Sequence, residues 1–151
     1  MGVSERDIRA IGSLVYSYPR LIDDGDFDAV ADLFQHARVI AGDGTVFQGR
    51  EVLRELWASG VRLHEDGTPR TQHVVTNLDI THAEGADTAT ASSYVTVLQA
   101  CPGLPLQVIA ASRHDDVFER VDGAWRFAER RDRQRLVGDL SHHFAPPPAS
   151  A

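Results

Sequence analysis

An α+β fold follows from three features of the sequence. Apolar residues recur at three-and-four spacing over the first sixty positions, then alternate along long runs from residue 71 onward. Short glycine-bearing turns separate those runs, the mark of an antiparallel meander rather than of alternating βα units. The length, 151 residues with 42% hydrophobic and 25% charged side chains, suits one globular core and no second domain. A strongly curved sheet of such strands, with the early helices across its concave face, would enclose a pocket.

The elements follow in order. Ser4, three residues before Asp7, reads as an N-cap. The helix behind it buries Ile8, Ile11, Leu14, Val15, Tyr18, Leu21 and Ile22, with a kink expected at Pro19. Asp24-Gly25 stops it, and Asp26 caps a second helix carrying Phe27, Val30, Ala31 and Leu33. Arg38–Ala41 and Thr45–Phe47 flank Gly42-Asp43-Gly44 as a hairpin. Gly49 starts a third helix, with Val52, Leu53, Leu56 and Trp57 on one side, that ends at Gly60. Three long strands are expected at 71–81, 88–100 and 106–121, and a fourth from Ala124 after the Asp122-Gly123 turn. Trp125 and Phe127 share a face and read as packing residues. The globular unit is expected over 1–145, and the Pro/Ala-rich stretch 146–151 reads as a disordered tail.

Composition excludes several functions. Fifteen basic against 22 acidic residues give a net charge of −7, which argues against nucleic-acid or anionic-membrane partners. All the basic residues are arginine, so Schiff-base chemistry on a lysine amine is ruled out. The single Cys101 allows neither an internal disulfide nor a cysteine-built zinc site, and the seven histidines show no metal-ligand spacing, so no metal is expected. There is no apolar run of about 20 residues and no signal-peptide pattern, so a cytoplasmic protein is expected.

Two histidines fall within strands. Strict alternation sets His73 with Val75, Asn77 and Asp79 on one face, opposite Val74, Leu78 and Ile80. It sets His114 with Val108, Ala110, Ser112 and Asp116. His36, His64 and His82 read as loop or strand-edge residues without a role, and His142 and His143 as solvated. Tyr16, Arg20 and Asp23 line one stripe of the first helix, beside its apolar face. A carboxylate there needs a buried partner, and an in-strand histidine is a suitable one.

The segments Leu21-Ile22-Asp23-Asp24-Gly25-Asp26-Phe27-Asp28, Arg70-Thr71-Gln72-His73 and Val121-Asp122-Gly123-Ala124-Trp125-Arg126-Phe127 resemble the SnoaL-like branch of the nuclear-transport-factor-two-like superfamily. Within it the chain looks most like the scytalone dehydratase and hexachlorocyclohexane dehydrochlorinase groups, the latter also in His143-Phe144-Ala145-Pro146. The resemblance spans roughly residues 5 to 146. It implies a cone-shaped, curved antiparallel or mixed β-sheet (an α+β barrel) closed by N-terminal helices around an apolar pocket. It also implies no cofactor and a homo-oligomer, trimer or dimer. Carried over by position, His73 matches the general base, Asp23 the aspartate that orients it, and Arg130 a pocket arginine. Tyr16, Arg20, Trp57, Tyr94 and His114 are the expected substrate-contacting residues.

The chain also departs from those groups. Leu98-Gln99 stands where the dehydratase has a second catalytic histidine, and either Gln99 or His114 is a candidate replacement. Ile22 replaces a tyrosine, and Arg20 only approximates a lysine of the dehydrochlorinase. The expected activity is a cofactor-independent lyase or isomerase, a dehydratase or dehydrohalogenase in type, acting on a small apolar or polyketide-like molecule. A cyclase or epoxide-opening enzyme of the same branch is the alternative, although epoxide opening there uses an Asp–Arg–Asp arrangement, whereas here a histidine occupies the central strand; a ring-forming cyclase stays compatible. A non-catalytic small-molecule binder is the third.

Overall fold

The computed structural model describes residues 4–146. Helix α1 (Glu5–Asp23) runs unbroken through the buried Pro19 and turns at Gly25 into α2 (Phe27–Phe34). Strands β1 (Arg38–Ile40) and β2 (Val46–Gln48) form the short hairpin, and α3 (Arg50–Gly60) follows. The long strands are β3 (Thr71–His82), β4 (Thr88–Cys101), β5 (Leu104–Val121) and β6 (Ala124–Val137). They make one six-stranded sheet in the order β2-β1-β6-β5-β4-β3, antiparallel except where β1 runs parallel to β6. The sheet curves but does not close into a barrel, since β2 and β3 remain its two edges. Residues 147–151 of the expected tail lie outside the described residues.

The helices bury Ile11, Val15, Ile22, Phe27, Val30, Phe34 and Leu53 against Phe118 and Phe127 of the sheet. Phe34 is the centre of this packing, its ring 4.5 Å from Phe127, 5.8 Å from Trp57 and 5.8 Å from Tyr18. Toward the other end, Val95, Val97, Leu104, Ile109 and Ala110 form a smaller cluster with Leu140. The space between the two clusters is the cavity described below.

Two local devices aim the strands and turns. Asn77 adopts φ 53°, a left-handed conformation that asparagine tolerates, at the register shift between Thr76 and Asp79. This bulge overrides strict alternation: His73 and Val75 face inward before it, and Leu78, Ile80 and His82 after it. A similar shift at Ile109 turns Val108 out to solvent, while Ala110, Ser112, His114 and Asp116 keep the inward face. Ser4 does sit at the N-cap of α1 but makes no side-chain cap bond. Asp7 instead accepts from Trp125 Nε1 at 2.9 Å.

Gly25, at φ 73°, has no room for a side chain: an added Cβ would lie 2.6 Å from the Gly67 carbonyl oxygen. This contact seats the α1–α2 turn on the loop that leads into β3. Gly25→Ala is expected to cost about 2–4 kcal/mol, from positive-φ strain plus the clash, measurable as a lower urea midpoint. An unchanged midpoint would remove the contact from the account.

No helix among the described residues is long and apolar enough to cross a membrane.

Candidate functional site

The cavity is about 330 Å³, bounded by α1, α3, the sheet's concave face and the segment after β6. Ile22, Val39, Phe47, Leu56, Trp57, Val95, Val97 and Ala110 give it apolar walls. Tyr18, His73, Ser112, His114, Arg130, Asp132 and His143 supply the polar groups. A larger surface depression of about 460 Å³, between Arg62–Asp66, Arg70 and Pro102, contains neither His73 nor Asp23.

Asp23 ends α1 one residue after the buried Ile22, so its carboxylate reaches the first residues of β3. Oδ1 lies 2.6 Å from His73 Nδ1 and accepts from Thr71 Oγ1 at 2.8 Å, while Oδ2 accepts the His73 backbone N–H at 2.8 Å. The His73 side chain is 7% exposed and that of Asp23 18%. An ionised carboxylate only accepts, so in the neutral form of the ring Nδ1 carries the proton and Nε2 the lone pair. The ring's one side-chain hydrogen bond among the described residues is the one through Nδ1.

Across the cavity, β5 and β6 present a second set of groups. Arg130 and Asp116 sit opposite each other on the two strands. They form a two-pronged ion pair, Nε to Oδ1 at 2.8 Å and Nη2 to Oδ2 at 2.8 Å, with both side chains buried. The guanidinium carbon lies 4.8–5.0 Å from the Tyr18, Phe34 and Phe127 ring centres, and Nη1 is buried without a hydrogen-bond partner among the described residues. Burial opposes the Arg130 charge, but Asp116, with Tyr18 and Asp132 adding, more than offsets it and holds the group above its ordinary pKa. His114 pairs across the ladder with Asp132, whose Oδ1 is 3.9 Å from Nε2. Burial, then the Arg130 charge and His73, keep His114 well below the usual histidine range. Burial raises the Asp132 carboxyl, against the neighbouring Ser112 hydroxyl and the Arg130 charge. Burial chiefly, with Asp132, Asp23 and Asp116 adding and Arg130 opposing, lifts the Tyr18 phenol to about 12. Its ring stands edge-on to both imidazoles, at 5.8 Å from His73 and 6.0 Å from His114.

Of the residues expected from sequence, His73, Asp23, Arg130, His114 and Trp57 converge here. Three do not. Tyr16 is 46% exposed and Arg20 is also exposed, because the inward stripe of α1 is Ile11, Val15, Tyr18 and Ile22. Tyr94 is 46% exposed, because Val95 and Val97 hold the inward positions of β4. Gln99 is 1% exposed and spends Nε2 on the Pro69 and His142 carbonyls, outside the cavity lining. Of these two candidates, His114 lines the cavity and Gln99 does not. His82 is buried against Trp125 with Nε2 on the Ala86 carbonyl, and His143 is half-buried at the cavity rather than solvated.

Sequence reasoning missed Tyr18, Asp132 and His143 as cavity residues. Only Tyr18 carried a signal, as a polar side chain within the apolar stripe of α1.

A pH effect on stability follows. The unfolded chain protonates these histidines near pH 6.5, whereas burial, the Arg130 charge and His73 keep folded His114 neutral well below that. Burial and His73, opposed by Asp23, hold His143 down to about 4. The contribution is complete above pH 6.5 and is lost as pH falls toward 4; the raised carboxyl of Asp132 works in the opposite sense. Between pH 7 and 5 His114 is expected to cost roughly 2 kcal/mol of stability. Thermal unfolding of wild type and His114→Asn at both pH values checks this: the variant should lose less, and an equal loss would contradict it.

Residues 4–131 match the family profile described as a SnoaL-like domain. No curated protein matches the chain. Among solved structures, Rv3472(D26N), a protein of unknown function from Mycobacterium tuberculosis, is 31% identical, with 96% of this chain and 80% of that one covered and a TM-score of 0.70. A candidate scytalone dehydratase from Novosphingobium aromaticivorans is 22% identical, covering 96% and 95%, with a TM-score of 0.69. LinA is 24% identical, covering 94% and 95%, with a TM-score of 0.68. At these last two identities the likeness is one of fold.

Proposed function

The chain belongs to the SnoaL-like domain family, and on that premise we propose that it is a cofactor-independent lyase or isomerase whose general base is His73. The observation that carries the reading is the 2.6 Å Nδ1–Oδ1 contact between His73 and Asp23 at the wall of an apolar cavity. Asp23 fixes the tautomer and the ring plane, so the Nε2 lone pair is the proton acceptor. A C–H next to a carbonyl, hydroxyl or halide gives up its proton to Nε2, and the electron pair moves toward the oxygen or expels the leaving group. The opposite wall meets the negative charge that develops there: the neutral Tyr18 phenol, the Ser112 hydroxyl and the Arg130 charge face the same space. Apolar walls exclude water and strengthen these interactions. The substrate is a small, largely apolar molecule that fits about 330 Å³. The cytoplasm and a homo-oligomer, with the exposed Leu106, Val108 and Leu136 at its interface, belong to this reading.

Deuterium uptake tests it. In heavy water, wild-type protein should speed exchange of the α-protons of a bicyclic ketone such as 2-tetralone above the buffer rate. No acceleration over a panel of such ketones, with binding retained, would favour a non-catalytic binder.

One observation favours a second reading. Arg130 is paired with Asp116 and lines the cavity together with Asp132 on β6, so two aspartates and an arginine come near one another, as an Asp–Arg–Asp arrangement for epoxide opening requires. Under that reading Asp132→Asn, but not His73→Ala, would abolish hydration of an epoxide such as styrene oxide.

A further inference from the structure

After β6 the chain crosses the cavity mouth and is seated there by bonds to distant elements. The Arg62 N–H donates to the His143 carbonyl at 2.8 Å, and the Ala145 N–H donates to the Gly60 carbonyl at 2.9 Å. Val61 and Phe144 form a β-bridge. The His142 carbonyl lies 3.1 Å from Gln99 Nε2, which donates to it, and 3.1 Å from His64 Nε2. A fully buried glutamine amide is thus committed to holding this strap. A strap needed only to cover apolar surface would carry apolar side chains, as it does at Leu140 and Phe144. Between them it brings an imidazole to the cavity that holds His73.

The surroundings of the His143 ring select one tautomer. Nδ1 is buried and has no partner among the described residues. A buried unpaired N–H is rarer in folded proteins than an unpaired acceptor, which assigns the proton to Nε2. The ring is neutral near pH 7, since burial and His73 hold it down to about 4 against the pull of Asp23. It therefore offers one N–H without adding a positive charge that would suppress proton uptake by His73.

We propose that His143 is a substrate-binding residue whose Nε2–H donates to an oxygen of the substrate, and that the substrate is accordingly a carbonyl or phenolic compound rather than a halogenated hydrocarbon. A carbon-bound halogen is a poor acceptor for a neutral N–H, whereas a carbonyl or phenolic oxygen is a good one. The donor reaches the same cavity as the base, so it fixes which C–H of the molecule faces Nε2 of His73. This assignment rests on the reading of His73 as the base.

The test compares 2-naphthol, an oxygenated bicyclic probe, with naphthalene, which has the same rings and no oxygen. His143→Phe keeps an apolar ring and removes the donor, and His143→Gln restores a donor. Wild type should bind 2-naphthol, and His143→Phe should weaken that binding about fivefold, with His143→Gln recovering most of it. Naphthalene should bind wild type and His143→Phe alike. If His143→Phe does not fold, the Nε2 nitrogen resonance of His143 in the wild-type protein gives the readout and should move on addition of 2-naphthol, not of naphthalene. Equal losses for both probes, no loss for either, no wild-type binding of 2-naphthol, or an unmoved resonance would overturn the assignment. Binding needs no turnover, so these results concern His143 alone, whereas ketone exchange that survives His73→Ala overturns the reading of the base.

Discussion

His73→Ala is expected to lower enzyme-accelerated deuterium exchange into 2-tetralone by about 10²–10⁴-fold, the usual contribution of a positioned general base. The fold should persist, because Asp23 would still accept from Thr71 and from the backbone N–H of residue 73. Asp23→Asn should reproduce much of this loss with the imidazole still present. The asparagine oxygen can satisfy the backbone N–H only by turning its NH2 toward Nδ1. Nδ1 must then accept, the proton moves to Nε2, and the lone pair is removed from the cavity. Exchange rates with thermal unfolding as the folding control measure both. If His73→Ala were folded and as active as wild type, the base would have to be sought elsewhere, with Asp132 the next candidate.

Arg130→Met should produce the largest loss of stability. The Arg130 and Asp116 side chains are 5% and 1% exposed, and their pairing satisfies both carboxylate oxygens. Removing the cation leaves Asp116 buried and without its partner, at an expected 3–5 kcal/mol. For a chain of this size that lowers Tm by roughly 10 °C. The paired substitution Asp116→Leu with Arg130→Met removes both charges and should recover most of the loss. A double variant no more stable than Arg130→Met would mean that the ion pair is not what the site requires.

The limits of the sequence reading have physical causes. The helical period of α1 correctly buried Ile11, Val15, Tyr18 and Ile22 and placed Asp23 at the helix end. It also suggested Tyr16 and Arg20, because residues bordering an apolar stripe can face either way and only packing decides. Alternation marked His73 and His114 as in-strand residues, yet it failed at Asn77 and Ile109, where an extra residue shifts the register. Arg130 came only from resemblance, since it lies in a charged run whose inward members emerge from the pairing with β5. His143 left no periodic trace. Its position depends on bonds to Gly60, Arg62, His64 and Gln99, all remote in sequence.

Proton abstraction by His73 depends on which ring nitrogen carries the proton, and long-range ¹H–¹⁵N correlation of the imidazoles measures it directly. At neutral pH the wild-type spectrum should show a protonated Nδ1 and a bare Nε2 for His73, and the two should exchange roles in Asp23→Asn. A proton on Nε2 of wild-type His73, with Nδ1 bare, would contradict it.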